Sequence, residues 1–115
     1  MPLKNMPTKI IVHCTCSTEE EAQRLALHVV GLRLAACAAV MPGVRSFYHW
    51  RGALEQSEEC ALTMKSREDL FAELCAEIRK VHSYEVPEIL AVRVADGSAD
   101  YLAWMDVELR PADGA

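Results

Sequence analysis

The sequence predicts an α+β fold in which two βαβ halves share one antiparallel sheet. Three observations carry this. The apolar pattern switches between a period of two and a helical period in the order β-α-β-β-α-β. Two strand-like runs flank the short turn Arg51-Gly52-Ala53. The two longer helical segments each present an apolar stripe on one side only. A further helix follows, and the 115 residues read as a single domain without an internal repeat.

The first strand is Lys9 to Thr15, rich in β-branched residues. Thr18 and Glu21 then stand at capping-box spacing, and Glu19-Glu20-Glu21 sits where the positive end of a helix favours acids. Ala22, Leu25, Ala26, Val29 and Leu32 recur at helical spacing, giving a helix to about Leu34. The run Ala36 to Met41 starts a second strand, bends at Pro42-Gly43, and resumes from Val44 through Ser46-Phe47-Tyr48-His49-Trp50. Leu54 to Lys65 returns as its hairpin partner, with Cys60, Leu62 and Met64 alternating against Glu59, Ala61 and Thr63. Ser66 is placed to cap the next helix, whose apolar face is Leu70, Phe71, Leu74, Cys75, Ile78 and Val81. Arg79 and Lys80 suit its negative end. His82 to Pro87 ends it, Ile89 to Val94 forms the fourth strand, and Ser98 caps a last helix bearing Tyr101, Leu102 and Met105. Pro111 to Ala115 reads as a loose tail. This order is the ferredoxin-like split βαβ arrangement, with both crossover helices on one face of the sheet.

Composition narrows the functional classes. Hydrophobic residues make up 51% and charged residues 25%, a globular balance. A formal charge of −5 argues against nucleic acid as the main partner, since phosphate-binding surfaces are basic. No apolar stretch approaches the roughly 20 residues a bilayer span needs, and the amino-terminal residues offer no signal-peptide core. Five cysteines without a Cys-x-x-Cys pair fit reduced thiols and a cytoplasmic location better than a disulfide framework.

With both helices on one face, the other face is solvated or covered by another subunit. Phe47, Tyr48 and Trp50 lie close to the hairpin turn, where a monomer offers little to bury them. Burying one such ring is worth on the order of 2–3 kcal/mol, and unpaired strand edges invite a second chain. The sequence therefore predicts an oligomer.

Leu34-Ala35-Ala36-Cys37, Pro42-Gly43, Ser46, Tyr48, Trp50 and Gly52, followed by Glu59, Lys65, Tyr84, Pro87-Glu88, Tyr101 and Trp104, resemble the pattern of the CutA divalent-cation-tolerance proteins. The resemblance runs from about Ile10 to Arg110 without a gap. It implies a ferredoxin-like homotrimer, a role in tolerance to copper or another divalent metal, and similarity to the PII signalling trimers. A PII-like module binding a small molecule or partner protein in its inter-subunit clefts is the alternative reading. Two departures stand out. His82-Ser83-Tyr84 replaces the family's common His-Pro-Tyr, loosening a rigid turn, and Val81 stands where some members carry the first of two adjacent histidines.

The resemblance also places Cys14, Glu59 and His82 at candidate metal contacts, and thiolate, imidazole and carboxylate together suit copper or zinc. Their bland counterparts are a half-buried strand thiol at Cys14 and a solvated helix terminus at His82. Cys14-x-Cys16 puts two thiols on one strand face, a spacing able to pinch Cu(I) or simply to pack. His13, His28 and His49 read as ordinary polar or packed residues, and Glu19-Glu20-Glu21 as helix capping. Cys14 with His82 has the residue types of an activated nucleophile, but the sequence offers no third orienting group and no oxyanion hole, so no enzymatic activity is expected.

Overall fold

The computed structural model describes residues 6–112. The amino-terminal Met1–Asn5 and most of the expected tail lie outside the described residues. The elements run β1 (Lys9–Cys16), α1 (Glu19–Gly31), β2 (Cys37–Trp50), β3 (Ala53–Arg67), α2 (Phe71–Val81), β4 (Ile89–Arg93) and α3 (Ala99–Glu108). The four strands form one sheet in the order β2-β3-β1-β4, with every neighbouring pair antiparallel. The element order and the antiparallel ferredoxin-like arrangement are those the sequence predicts.

The register fixes which side chains share a face. Val12 opposes Met64, Cys14 opposes Leu62, and Cys16 opposes Cys60. Together with Ile10 these residues are buried with Leu25 and Val29 of α1 and Leu74 and Ile78 of α2 in one core. Alternation turns Ile11, Thr63, Ala61, Leu90 and Val92 to the opposite face. There Leu90 and Val92 are 60% and 53% exposed.

β2 and β3 outrun the rest of the sheet. β1 pairs only with Cys60 to Arg67, so Ala53 to Glu59 pairs with β2 alone. The result is a two-stranded ribbon that stretches the molecule to 53 × 25 × 22 Å. Its tip is a two-residue turn with Arg51 and Gly52 both at positive φ, 52° and 83°, the twist that matches flanking strands. The bend predicted near Val44 is a register shift between Met41 and Val44, spanned by Pro42 and by Gly43 at φ 82°. Proline has no N–H for the ladder, so a bulge is where it fits.

Two caps differ from expectation. Ser66 is not a helix cap: β3 continues through it, and its buried hydroxyl donates to the Leu34 carbonyl at 2.6 Å. A 3-10 turn over Glu68–Leu70 then leads into α2 without a side-chain cap. Ser98 does stand at the start of α3, but its side chain makes no capping bond there.

The carboxyl-terminal part is tied down by Arg67, which is 1% exposed. Its guanidinium donates to both oxygens of Asp69 at 2.9 and 3.1 Å, to Asp106 at 3.1 Å, and to the Arg110 carbonyl. Lys9 pairs with the other oxygen of Asp106 at 2.9 Å. Arg67→Ala leaves these acceptors without their shared donor and is expected to lower unfolding free energy by about 3 kcal/mol. Lysine, a single point charge, recovers only part of that loss. Urea denaturation of both variants measures the difference.

Candidate metal centre

Cys14 and Cys16 project from β1 toward the helices and are 1% and 0% exposed. The third member of the group arrives from the far side of α2. His82 follows its last turn in extended conformation (φ −69°, ψ 140°), and its ring is fully enclosed. One ligand atom from each of Cys14, Cys16 and His82 lies within 4.8 Å of the others. Two sulfurs bound to one zinc lie at most about 4.6 Å apart. Only a small contraction is therefore needed, and two thiols with an imidazole fit a soft metal ion by chemistry as well as by spacing.

The imidazole is held by backbone at both nitrogens. Nδ1 accepts the Tyr84 N–H at 3.0 Å, and Nε2 lies 2.7 Å from the Thr15 carbonyl. An accepting Nδ1 assigns the ring proton to Nε2, which donates to Thr15. The solvated terminus considered for His82 is therefore excluded: the ring is a packed, fully bonded side chain.

What presses His82 into place is Glu21, which is 2% exposed. Thr18 Oγ1 accepts the Glu21 N–H at 3.1 Å, half of the expected capping box. The Glu21 carboxylate reaches one residue further back, to the N–H and hydroxyl of Ser17 at 3.2 and 3.3 Å. Its other oxygen accepts the Ser83 N–H at 2.7 Å. The proline that the resemblance leads one to expect at this place would have no such N–H. The turn expected to be loosened is instead tied by this bond. Burial raises the Glu21 pKa, but hydrogen bonds from Ser83 and Ser17 and the nearby His82 outweigh it and leave the carboxyl below its ordinary value.

The two strand thiols share a hydrogen bond, which pulls Cys16 below its ordinary value. The hydrogen bond with Cys16, then burial, then Glu88 and Glu21 push the Cys14 thiol far up. Burial pushes the Cys60 thiol up as well, with the neighbouring Cys16 adding to it. All five cysteines are free.

The structure brings Cys14 and His82 together and adds Cys16, but it does not bring Glu59 to them. Glu59 is one residue from Cys60, and alternation turns it to the other face of β3. It is 8% exposed, and its Oε2 accepts the Tyr84 hydroxyl at 2.5 Å. Burial and then this bond to Glu59 raise the Tyr84 pKa, so the phenol stays a donor. His13 is exposed on the open face, and His28 bonds to Glu77 at 2.9 Å.

Residues 10–108 match the model of the CutA1 divalent ion tolerance protein family. The chain belongs to this family. It is 44% identical over 100 residues to the divalent-cation tolerance protein CutA of Yersinia pestis, covering 87% of this chain and 84% of that protein. Among solved structures, the divalent cation tolerance protein of Thermus thermophilus is 34% identical with a TM-score of 0.87, covering 89% of this chain and 99% of that one. CutA1 of Oryza sativa is 33% identical with a TM-score of 0.89, over 93% and 98% of the two chains.

The Glu21 bonds have a pH signature. A carboxyl whose pKa is lowered by folding stabilises the protein above its unfolded value, near 4.5, and that stability is lost as pH falls through the folded value. Glu21→Gln is expected to flatten the acid limb of the stability profile below about pH 4.5, read from urea midpoints at several pH values. Ser83→Pro removes one charge-assisted bond worth about 1.5–3 kcal/mol and recovers less than 1 kcal/mol of chain entropy. It should therefore destabilise wild type and have less effect on Glu21→Gln.

Proposed function

We propose that this protein binds copper, as Cu(I), at Cys14, Cys16 and His82, and that this uptake underlies a role in metal tolerance. The observation that carries the reading is the approach of the three donors to within 4.8 Å in a buried site. Soft thiolates select Cu(I) and zinc over hard ions, and the imidazole suits both. The hydrogen bond with Cys16 and burial do most to raise the Cys14 thiol, and Glu88 and Glu21, which add to that rise, also make the site attractive to a cation. A metal taking the lone pair at Nδ1 of His82 displaces the Tyr84 N–H, so uptake is coupled to a small movement of residues 82–84. Glu59, bonded to Tyr84 across the strand, then acts through that segment instead of as a ligand.

The family name speaks of divalent cations, and zinc is the divalent ion that this donor set would take. Five free thiols suit a reducing cytoplasm, which is where we place this activity. The Archaeoglobus fulgidus relative is described as periplasmic, so the compartment is one point on which members can differ.

The working unit in this reading is a homotrimer. The subunit number is taken from the family resemblance, and the need for a partner from the shape of the chain. A free two-stranded ribbon is at best marginally stable in water, yet β2 and β3 extend one beyond the sheet. Leu90, Val92 and Met41 leave large apolar side chains exposed on the open face. Among the described residues no helix is long and apolar enough to cross a membrane, and a second and third copy would cover that face. Sedimentation should give a mass of three chains, while a monomer at micromolar concentration would refute the assembly.

Competitive titration of the reduced protein with Cu(I) against a chelator tests the site. One ion per chain is expected, with affinity lowered by at least about tenfold in each of Cys14→Ala, Cys16→Ala and His82→Ala. Because bound thiolates must first release their protons, affinity should rise as pH rises from 6 to 8. Uptake unchanged in all three variants would overturn the assignment, and a preference for zinc would correct the metal.

A further inference from the structure

Cys60 is the one buried thiol that the copper reading leaves unused, and the sheet sets it against one that the reading does use. Of the five cysteines, only Cys16 and Cys60 face each other in a strand register. Both side chains point into the helix-covered core, at 0% and 2% exposure. The chain's own helices close this face, so the pairing does not depend on how copies of the chain assemble.

The ladder gives the spacing. The Glu68 N–H donates to the Thr8 carbonyl at 2.8 Å, which marks Thr8 and Glu68 as a hydrogen-bonded pair. Such pairs recur at every second residue, so Cys16 and Cys60 form one too. Their Cα atoms are then about 5.5 Å apart, inside the roughly 4.4–6.8 Å that disulfides span. Cβ atoms in such pairs stand up to about 5.5 Å apart, whereas a disulfide needs roughly 3.5–4.5 Å, so the strands must close in by about 1 Å. The place suits that movement. Cys16 ends β1, and Cys60 is the last residue of β3 that β1 pairs with, so no ladder bond beyond them resists. A bond closed under this strain is easily reduced, as a reversible disulfide must be. Cys14 is a poorer partner for Cys16, because two rises of an extended strand set them about 6.4–6.8 Å apart, at the outer limit for a disulfide.

We propose that Cys16 and Cys60 are a redox pair, joined reversibly through oxidation by hydrogen peroxide, and that the bond withdraws Cys16 from the copper site. This regulation rests on the copper reading above; the bond itself does not. As its thiolate, the Cys16 sulfur attacks one peroxide oxygen. The O–O bond breaks, and the hydroxide released takes up the proton the thiol gave, leaving as water. Cys60 then attacks the sulfenic sulfur: the S–S bond forms, the S–O bond breaks, and a second water leaves with the Cys60 proton. The two thiols lose two electrons and the peroxide gains them. Peroxide is small enough to follow the route that a metal ion takes past residues 82–84.

Trypsin separates the candidates, because cleavage after Lys9, Arg24, Arg51 and Lys65 puts Cys14 and Cys16 on peptide 10–24 and Cys60 on peptide 52–65. Reduced, chelator-treated protein is exposed to hydrogen peroxide, alkylated, and mapped by mass spectrometry without reductant. Peptide 10–24 is expected to be linked to 52–65 in protein still folded by circular dichroism, and freed by dithiothreitol. The link should persist in Cys14→Ala and vanish in Cys60→Ala. Cu(I) affinity of the oxidised wild type should fall by about tenfold or more and return on reduction. A link confined to 10–24, thiols left unlinked, or a linked protein that holds Cu(I) as tightly as the reduced one overturns the proposal. The wild-type map reads this whether or not the variants fold. If the two peptides join in a protein whose reduced form takes up no Cu(I), the redox pair stands and the copper reading alone falls.

Discussion

Glu21 joins segments 62 residues apart, and the arrangement around the cysteines depends on it. One oxygen closes the start of α1 through Ser17, and the other takes the N–H of Ser83. A buried carboxylate is costly unless its oxygens are satisfied; here three donors do so, two of them backbone N–H groups. Those bonds draw residues 82–84 over the end of β1. His82 then has one place to go, against the Thr15 carbonyl beside Cys14 and Cys16. The acidic residue that sequence statistics assign to helix capping therefore also sets the position of an imidazole from the other half of the fold.

Tyr84 links the two faces of the sheet. Its backbone N–H donates to His82 on the cysteine side, while its hydroxyl donates to Glu59 on the ribbon side. Alternation along β3 makes this necessary: Cys60 points to the core and Glu59 away from it, so no single cluster can contain both Cys16 and Glu59. A short segment with one bond to each face is the shortest physical connection between them. A shift of His82 is felt at Glu59 through one residue.

Much of the fold is legible in the sequence because its signals are local. The alternation in β3, the one-sided apolar stripe of α2 and the Arg51-Gly52 turn each need only a few consecutive residues to be read. Ser66 misleads for the opposite reason. A serine ahead of Glu68 and Asp69 has the composition of a cap, but its partner is the Leu34 carbonyl, 32 residues away. The pairing of Cys14 with His82 comes from the family pattern, and the Cys14-x-Cys16 spacing makes the second thiol visible. What local spacing could not give was the β1–β3 register, which sets Cys16 opposite Cys60 and removes Glu59 from the group. Nor could it give the burial of His82, whose ring is enclosed beside the bond from Ser83 N–H to Glu21.

The distribution of charge gives this end of the molecule its chemical character. The hydrogen bond between the two strand thiols raises Cys14 and lowers Cys16, and through space Glu88 and Glu21 add to the rise at Cys14 while Glu21 and Glu59 oppose the fall at Cys16. Glu59 and Glu88 lie together on the opposite face, beside the ribbon, with Glu85 near them paired to Arg51. One group of carboxylates therefore polarises both faces of the same sheet edge. The Cys14 proton answers that field on one side, and the Arg51 guanidinium answers part of it on the other. A cation that displaces the Cys14 proton meets a potential already set by the fold. What the fold offers that cation is sulfur and imidazole, the donors that suit a soft metal.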